Sequence, residues 1–252
     1  MAHKTMAQGA HTAIITGAAS GIGRAAVACA LEAGWRVAAL DLAAPPAPQG
    51  AAPDRFLALA CDVSREDACA DAVGAAARHF GGVDTLLHFA AVHSTGTWDA
   101  LDAEAFNRTL AVNVTGSFLM AKAAARWMKD HGGGAIVLTG SGSINVSGLG
   151  GHGRGGPAYV SSKAAIIGLT RALARSLAPY AIRVNAVSPG ATDTAMTADY
   201  SPEAKAAVGQ RTLAGRMGTP EEIARAAMFL ASDAASYVNG EILNANGGGS
   251  FG

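Results

Sequence analysis

Tyr159 and Lys163, a tyrosine and a lysine four residues apart, are the pair in this sequence best suited to proton transfer. Four residues span about one helical turn, so both side chains share a face if the segment is a helix. The pKa of a free tyrosine is about 10, too high for a base at neutral pH. A nearby lysine cation favours the phenolate, so we expect it to lower the pKa of Tyr159. Tyr159 is therefore predicted to take a proton from a substrate hydroxyl, or to return it during reduction.

A glycine-rich turn over Thr16–Gly23, reading TGAASGIG, lies far upstream of this pair. Glycines allow a tight turn and a close approach to a pyrophosphate, and the N-terminus of a following helix offers N–H groups to it. The spacing is G-x-x-x-G-x-G, which differs from the common G-x-G-x-x-G fingerprint and lacks the Gly-Lys-Ser/Thr ending of a P-loop. The expected cofactor contacts are Gly17, Ser20, Gly21, Ile22 and Gly23.

Asp41 supplies the context that makes this turn informative, because it falls at the end of the second predicted strand. A carboxylate there accepts hydrogen bonds from the adenosine ribose and repels a 2′-phosphate. The turn, which carries Ser20, also lacks a basic residue that would hold such a phosphate. Both features favour NAD over NADP as the cofactor.

Apolar strand patterns alternate with helical patterns along the chain. The predicted strands are Thr12–Thr16, Arg36–Leu40, Phe56–Ala60, Thr85–Ala90, Ala135–Thr139, Ile182–Ser188 and Glu241–Asn244. The predicted helices are Gly23–Ala33, Arg65–Phe80, Ala103–Asp130, Pro157–Ala178 and Pro220–Leu230. This alternation predicts an α/β fold with a doubly wound parallel sheet, a Rossmann fold. We expect one dinucleotide-binding catalytic domain over residues 12–252, after a flexible leader at residues 1–11.

Together these motifs resemble the short-chain dehydrogenase/reductase family, and the likeness runs from about Thr12 to Gly248. The family's catalytic tyrosine and lysine fall on Tyr159 and Lys163. The resemblance also implies that Asn113 holds a water in a proton relay with the lysine. Further cofactor contacts implied by the resemblance lie after later strands, at Asp62, Val63, Ala90, Ala91, Pro189, Gly190, Thr192 and Thr194.

The family's catalytic serine polarises the substrate carbonyl, and strand register places it at Ser141. Ser141 precedes Tyr159 by 18 residues, several more than is usual in the family. The extra length lies in the glycine-rich stretch 148–156, which can bulge outward. Ser143 is the alternative.

The usual Asn-Asn-Ala-Gly after the fourth strand is replaced here by His88-Phe89-Ala90-Ala91. We expect this change to adjust the local geometry and to leave cofactor binding intact. His88 is predicted to be a packed or hydrogen-bonded structural residue. Asn246, where many relatives carry aspartate, is also predicted to be structural.

The composition excludes several classes of function. The 19 Lys and Arg residues balance 19 Asp and Glu residues, and no basic stripe indicates a nucleic-acid or membrane-surface partner. No apolar run approaches the roughly 20 residues that span a bilayer. Three cysteines without metal-ligand spacing predict structural, reduced thiols, no metal site and a cytoplasmic location.

We therefore expect an oxidoreductase acting with NAD on a small secondary alcohol or its ketone, of a polyol, sugar or hydroxy-acid type. The loops Val92–Trp98, Ser143–Gly156 and Thr192–Arg211 should recognise the substrate, because ligands bind beyond the carboxyl ends of the strands. Candidate lining residues in these loops are His93, Trp98, Asn145, His152 and Tyr200. Two alternatives are an NADPH-dependent 3-oxoacyl thioester reductase and a catalytically silent NAD-binding regulator.

The resemblance also implies a homo-oligomer, with a tetramer favoured. Relatives assemble through their two longest helices, and the small residues Ala164, Ala165 and Gly168 would allow close helix approach in this chain.

Overall fold

A computed structural model describes residues 11–94, 97–146, 156–198 and 200–251 of the chain. Its centre is a seven-stranded sheet in the order β3-β2-β1-β4-β5-β6-β7, and every neighbouring pair is parallel. The strands are β1 Thr12–Thr16, β2 Arg36–Asp41, β3 Phe56–Ala60, β4 Thr85–His88, β5 Gly134–Thr139, β6 Ile182–Pro189 and β7 Ile242–Ala245. The order reverses between β1 and β4, where ligands bind in open parallel sheets.

Helices cover both faces of this sheet. They are α1 Gly21–Glu32, α2 Glu66–Phe80, α3 Ala103–Leu110, α4 Gly116–Met128, α5 Ser143–Val146, α6 Pro157–Leu177, α7 Pro202–Gly209 and α8 Pro220–Ala231. One buried core lies between the sheet and α2, α4 and α6, and a second lies between the opposite face and α1 and α8. The predicted single-domain, doubly wound parallel fold is confirmed.

The fourth strand ends two residues earlier than predicted, at His88. The Thr16 hydroxyl accepts hydrogen bonds from the backbone N–H groups of Phe89 and Ala90, each at 3.1 Å. These bonds turn the chain out of the sheet, because N–H groups held by a side chain cannot pair with a neighbouring strand. Ala90 and Ala91 therefore lie at the strand's carboxyl end.

The predicted continuous helix Ala103–Asp130 is interrupted. A single π-helical turn, Ala111–Thr115, separates α3 from α4 and contains Asn113. Such turns are rare and are found mostly at functional sites. At the start of α4, a Cβ built on Gly116 would lie 2.9 Å from the Val63 side chain, so only glycine permits this close contact.

Two of the predicted substrate loops contain helices. The loop Thr192–Arg211 includes α7, which begins at Pro202 after the N-cap residue Ser201. The Ser201 hydroxyl accepts a hydrogen bond from the Ala204 N–H, and proline suits the first helical position. The loop Ser143–Gly156 begins with the one-turn helix α5, and residues 147–155 lie outside the described residues.

Other predictions concern the leader, the membrane and metals. Residues 1–10 of the predicted leader lie outside the described residues, and His11 bonds to Thr85 and packs against Trp35. No helix in the described ranges has the length and apolarity to cross a bilayer. In the same ranges, no three His, Cys, Asp or Glu side chains are grouped as metal ligands would be.

Candidate active site

A cleft of about 890 Å³ opens at the carboxyl ends of the strands. Every predicted catalytic or cofactor-binding residue lines it except Asn113, whose neighbour Val112 does. The structure therefore brings the glycine-rich turn and the Tyr159–Lys163 pair into one cavity, although more than 130 residues separate them along the chain.

The floor of one half of the cleft is bare backbone. Gly17 has φ +66°, and a Cβ added there would lie 2.9 Å from the Ala90 nitrogen. A Cβ on Gly23 would lie 2.1 Å from the Gly17 carbonyl oxygen. Both contacts are too short for any side chain, so the turn needs glycine at these two positions.

Helix α1 starts directly beneath this turn. Its N-cap residue Ser20 makes no side-chain capping bond, and its first turn carries no acidic residue. The first N–H groups of a helix have no partner within the helix and attract anions. Gly21 and Ile22 line the cleft here, so the turn fits a dinucleotide pyrophosphate.

Asp41 lies beside the same turn at the end of β2. Its carboxylate accepts hydrogen bonds from the backbone N–H groups of Ala19 at 2.9 Å and Leu42 at 2.8 Å. These bonds hold the carboxylate at the edge of the cleft, beside the glycine-rich turn. Asp62 also lines the cleft, and its carboxylate accepts hydrogen bonds from the backbone N–H and the hydroxyl of Ser64.

The other half of the cleft is built around Gly190, directly after β6. A Cβ on Gly190 would lie 2.7 Å from the Asn246 Cα, so the chain segments after β6 and β7 touch here. Thr192 is buried, with its hydroxyl bonded to the Gly190 carbonyl at 3.0 Å. Thr194 lies between the two halves, 3.6 Å from the Cβ position of Gly21.

Tyr159 and Lys163 occupy the first two turns of α6, as their spacing predicts. Lys163 is 3 % exposed and donates a hydrogen bond to the Thr139 carbonyl at 3.0 Å. Its ammonium lies 5.7 Å from the centre of the Tyr159 ring. The ring of His93 packs against the same tyrosine, with 4.6 Å between the ring centres.

The electrostatics of this pair differ from the expectation. Burial raises the pKa of Tyr159 above its ordinary value, although a hydrogen bond with Ser141 acts in the opposite direction. Burial also lowers the pKa of Lys163 to about 8. The net shift of the Tyr159 pKa is therefore opposite to the expected lowering, because desolvation of the phenolate outweighs the hydrogen bond with Ser141.

Both candidate serines line the cleft, and they touch each other. The Ser143 hydroxyl donates to the Ser141 oxygen at 2.9 Å, and the Ser143 backbone N–H lies 3.2 Å from the same atom. Ser141 in turn hydrogen-bonds Tyr159. Ser141 is thus the serine directly linked to the tyrosine, and Ser143 orients it.

Asn113 lies behind the cleft wall and is 1 % exposed. Its side-chain oxygen accepts from the Val92 N–H at 2.8 Å, and its amide donates to the Val92 carbonyl and the Ser162 hydroxyl. The side chain therefore ties the His93 segment to α6, and the water-holding role implied by the resemblance stays a prediction.

His88 is 1 % exposed and does not line the cleft. The Thr16 hydroxyl, which already accepts two backbone N–H bonds, donates its proton to His88 Nδ1 at 2.9 Å. Nε2 therefore carries the hydrogen in the neutral ring. Burial, helped by the positive charge of Lys163, lowers the pKa of His88 to about 3 and keeps the ring neutral.

The predicted substrate-lining residues divide into three groups. His93 and Tyr200 line the cleft. Trp98, which is 84 % exposed, and Asn145 do not. His152 lies outside the described residues.

Several residues that line the cleft were not singled out from the sequence, although two of them, Val208 and Arg211, lie in the predicted loop Thr192–Arg211. They are Val208, Arg211, Thr212, Gly249 and Ser250. The signal that could have placed the first three is the Ser-Pro N-cap of α7, because a helix there fixes which residues face the cavity. Asn246, predicted to be structural, does hold a turn through bonds to Gly248 and Ser250, and it also lines the cleft.

Comparisons with known proteins agree with this geometry. Residues 17–250 match the family described as enoyl-(acyl carrier protein) reductase. The chain is 39 % identical over 248 residues to cis-4-hydroxycyclohexanecarboxylate dehydrogenase of Sinomonas cyclohexanicum, covering 94 % of this chain and 95 % of the relative. It is 38 % identical over 243 residues to an NAD-dependent glycerol dehydrogenase of Listeria innocua, covering 94 % and 92 %.

A solved structure extends the likeness to three dimensions. A short-chain type dehydrogenase/reductase from Mycobacterium marinum superposes with a TM-score of 0.86 at 34 % identity, covering 97 % of both chains. Sequence, fold and cleft agree on one assignment. The chain is an oxidoreductase that belongs to the short-chain dehydrogenase/reductase family.

Proposed function

We propose that this enzyme uses NAD to oxidise a small secondary alcohol to its ketone, or to catalyse the reverse reduction, with Tyr159 as the acid and base. The observation that carries the proposal is the common cleft shared by Tyr159, Ser141, Lys163 and a glycine turn that fits a pyrophosphate. Bound NAD supplies the hydride acceptor, and every other task falls to residues of the chain.

In oxidation, the Tyr159 oxygen takes the hydroxyl proton while the carbinol hydride leaves. Because burial raises the pKa of Tyr159, the phenol needs a nearby positive charge to act as a base. Lys163 supplies one, held in place by the Thr139 carbonyl. In reduction, the neutral phenol is already the proton donor.

Ser141 stabilises the charge that develops on the substrate oxygen by donating a hydrogen bond. Its own oxygen accepts from the hydroxyl of Ser143, so its proton is available to Tyr159 or to a substrate. This chain of bonds supports Ser141 as the catalytic serine and Ser143 as its positioning neighbour.

The preference for NAD rests on Asp41. A carboxylate fixed by two backbone N–H bonds beside the turn would accept bonds from ribose hydroxyls and repel the 2′-phosphate of NADP. The relative from Listeria innocua, an NAD-dependent glycerol dehydrogenase, supports the same choice.

The substrate class is a polyol, sugar or hydroxy acid. Relatives named for glycerol and for cis-4-hydroxycyclohexanecarboxylate support an alcohol of this size. A second candidate is an NADPH-dependent 3-oxoacyl thioester reductase; the description of the matching family also names an acyl thioester, although an enoyl reductase reduces a carbon–carbon double bond. Cofactor choice separates the two.

We further propose a homo-oligomer, with a tetramer favoured, in the reducing cytoplasm. On α6, Ala164, Ala165 and Gly168 are exposed, and Gly168 has no neighbouring atom within 4 Å of its Cβ position. A second copy could approach this helix closely. Three free, buried cysteines suit a reducing compartment.

The test is a panel of polyols, sugars, hydroxy acids and a 3-hydroxyacyl thioester, each with NAD and with NADP, followed by absorbance of the reduced cofactor. The expected result is turnover of at least one small alcohol with NAD preferred. Turnover of the thioester alone with NADP would favour the second candidate. No turnover of any member by the wild-type enzyme would contradict the proposal.

A further inference from the structure

His93 brings a second aromatic ring to the Tyr159 end of the cleft, where both residues line the cavity. The two ring centres lie 4.6 Å apart, and the ring planes are tilted by 53° to each other. Aromatic pairs attract each other at separations of about 4.5–7 Å. His93 is therefore in direct contact with the side chain that we assign to proton transfer.

The backbone on both sides of His93 is fixed by hydrogen bonds. Before it, the Val92 N–H donates to the Asn113 side-chain oxygen at 2.8 Å, and the Val92 carbonyl accepts from the Asn113 amide at 3.0 Å. After it, the Ser94 carbonyl accepts from the N–H of Gly156 at 2.9 Å. Gly156 is the N-cap residue of α6, the helix that also carries the tyrosine. These bonds place the His93 ring at the start of α6 through the backbone, whatever its ring nitrogens bind.

The hydroxyl of Tyr159 is held in a different way, by a hydrogen bond with Ser141. Under the proposed function, both hydroxyls turn to the substrate oxygen during the reaction, so this bond no longer fixes the phenol. A phenol released at its hydroxyl can rotate about its side-chain bonds, and misplacement of a reacting group slows the chemical step. A contact with the ring itself persists when the substrate is bound.

We propose that His93 is a positioning residue for Tyr159: its ring packs against the phenol ring and keeps the hydroxyl directed at the substrate oxygen once the bond with Ser141 is released. This inference rests on the proposed function and adds a residue to its mechanism. His93 acts through Tyr159, and the aromatic ring is the part of its side chain that matters.

The experiment compares the wild type with His93→Ala, His93→Gln and His93→Phe in single-turnover hydride transfer, with NAD and the panel alcohol that the wild type oxidises fastest. An aromatic contact changes the population of a ring position by about 3- to 10-fold. His93→Ala and His93→Gln, which lose the ring, should therefore slow hydride transfer by about 3- to 10-fold and leave the KM of the alcohol within about twofold. His93→Phe keeps a ring without nitrogens and should stay within about twofold of the wild-type rate.

A double-mutant cycle shows whether His93 acts through the phenol hydroxyl. In the Tyr159→Phe background, His93→Ala should change the residual rate by less than about twofold, because no hydroxyl is left to position. Equal slowing by His93→Ala in both backgrounds would overturn the inference.

His131→Ala is the matched control, because His131 is exposed, does not line the cleft and stacks on Trp127 with 3.9 Å between the ring centres. It removes the same side chain from another aromatic pair and should change neither the rate nor KM. NADH affinity, measured by fluorescence, should stay within about twofold in His93→Ala. A weaker NADH complex would overturn the inference, because the slower transfer would then follow from a displaced cofactor.

A wild-type rate in His93→Ala, with or without a higher KM, would overturn the inference. So would a His93→Phe enzyme as slow as His93→Ala, or a His93→Gln enzyme at the wild-type rate, because a hydrogen bond and not the ring would then be the active feature. None of these results affects the proposed function, which the turnover panel and Tyr159→Phe judge.

If no alcohol in the panel reacts, crystal structures of the wild type and of His93→Ala with NADH give a readout that needs no turnover. The Tyr159 ring should occupy one position in the wild type and should shift, or divide between two positions, in the variant. An unmoved ring in His93→Ala would overturn the inference.

Discussion

The Lys163 ammonium lies 5.7 Å from the centre of the Tyr159 ring and donates a hydrogen bond to the Thr139 carbonyl of β5. The sheet, through this bond, sets the position of the cation that acts on the tyrosine. Burial opposes the charged form of both groups, raising the pKa of Tyr159 and lowering that of Lys163. Burying these two side chains therefore opposes folding wherever either of them carries its charge.

Replacing this lysine should separate activity from stability. A fall in the pKa of Lys163 from 10.5 to about 8 means that burying its cation costs up to about 3 kcal/mol below pH 8. That cost is relieved as the pH rises from 8 to 10.5. Lys163→Met should therefore raise the free energy of unfolding at pH 7 by about 1–2 kcal/mol, after loss of the bond to Thr139. Turnover should fall at least about 100-fold. Urea unfolding measures the free energy of unfolding, and steady-state kinetics measures turnover. A clear loss of stability in Lys163→Met would contradict this prediction.

His88 should make stability depend on pH. Its pKa is about 3 in the folded protein and about 6.5 when unfolded, so the unfolded state binds more protons between these values. The stabilisation is complete above pH 6.5 and is lost as the pH falls toward 3. Between pH 7 and pH 5 the wild type should lose about 2 kcal/mol more than His88→Asn. Chemical denaturation of both proteins at pH 7 and pH 5 measures these two losses. Because both proteins contain His11, its contribution cancels when one loss is subtracted from the other. Parallel losses would mean that His88 is not kept neutral by burial.

Gly23→Ala should damage the pyrophosphate turn, because its new Cβ would lie 2.1 Å from the Gly17 carbonyl oxygen. We expect a loss of about 3 kcal/mol or more in stability and at least tenfold weaker NADH binding. Gly34→Ala is the matched control: Gly34 has φ +86°, yet nothing lies within 4 Å of its Cβ position. That variant should lose only about 1 kcal/mol and bind NADH normally. Calorimetry and NADH fluorescence distinguish the two, and equal effects would contradict the steric argument.

Asp41→Asn should weaken discrimination between the two cofactors. The amide oxygen can still accept a backbone N–H bond, but the charge that repels a 2′-phosphate is gone. The ratio of kcat/KM for NAD to that for NADP should fall by about 10- to 100-fold, mainly through improved use of NADP. Glu32→Gln, which removes a charge from the far end of α1, serves as control. An unchanged ratio in Asp41→Asn would remove Asp41 from the basis of cofactor choice.

The sequence predicted the fold closely, because strands covered on both faces leave continuous apolar runs and the glycine turn has a definite spacing. Features that depend on tertiary packing were missed. The π-helical turn follows from the bonds of Asn113 to Val92 and Ser162, which no local pattern reveals. The raised pKa of Tyr159 depends on burial by distant segments. Thr212 and Ser250 both line the cleft, although they are 38 residues apart along the chain.

The assignment of Tyr159 as the acid and base is best tested by a single-turnover measurement on Tyr159→Phe, with NAD and the alcohol from the panel that the wild type oxidises fastest. This change removes one oxygen and leaves the ring that packs against His93. We predict hydride transfer at least about 1,000-fold slower than in the wild type, with NADH affinity within about threefold. Hydride transfer at the wild-type rate would contradict the assignment of Tyr159 as the acid and base.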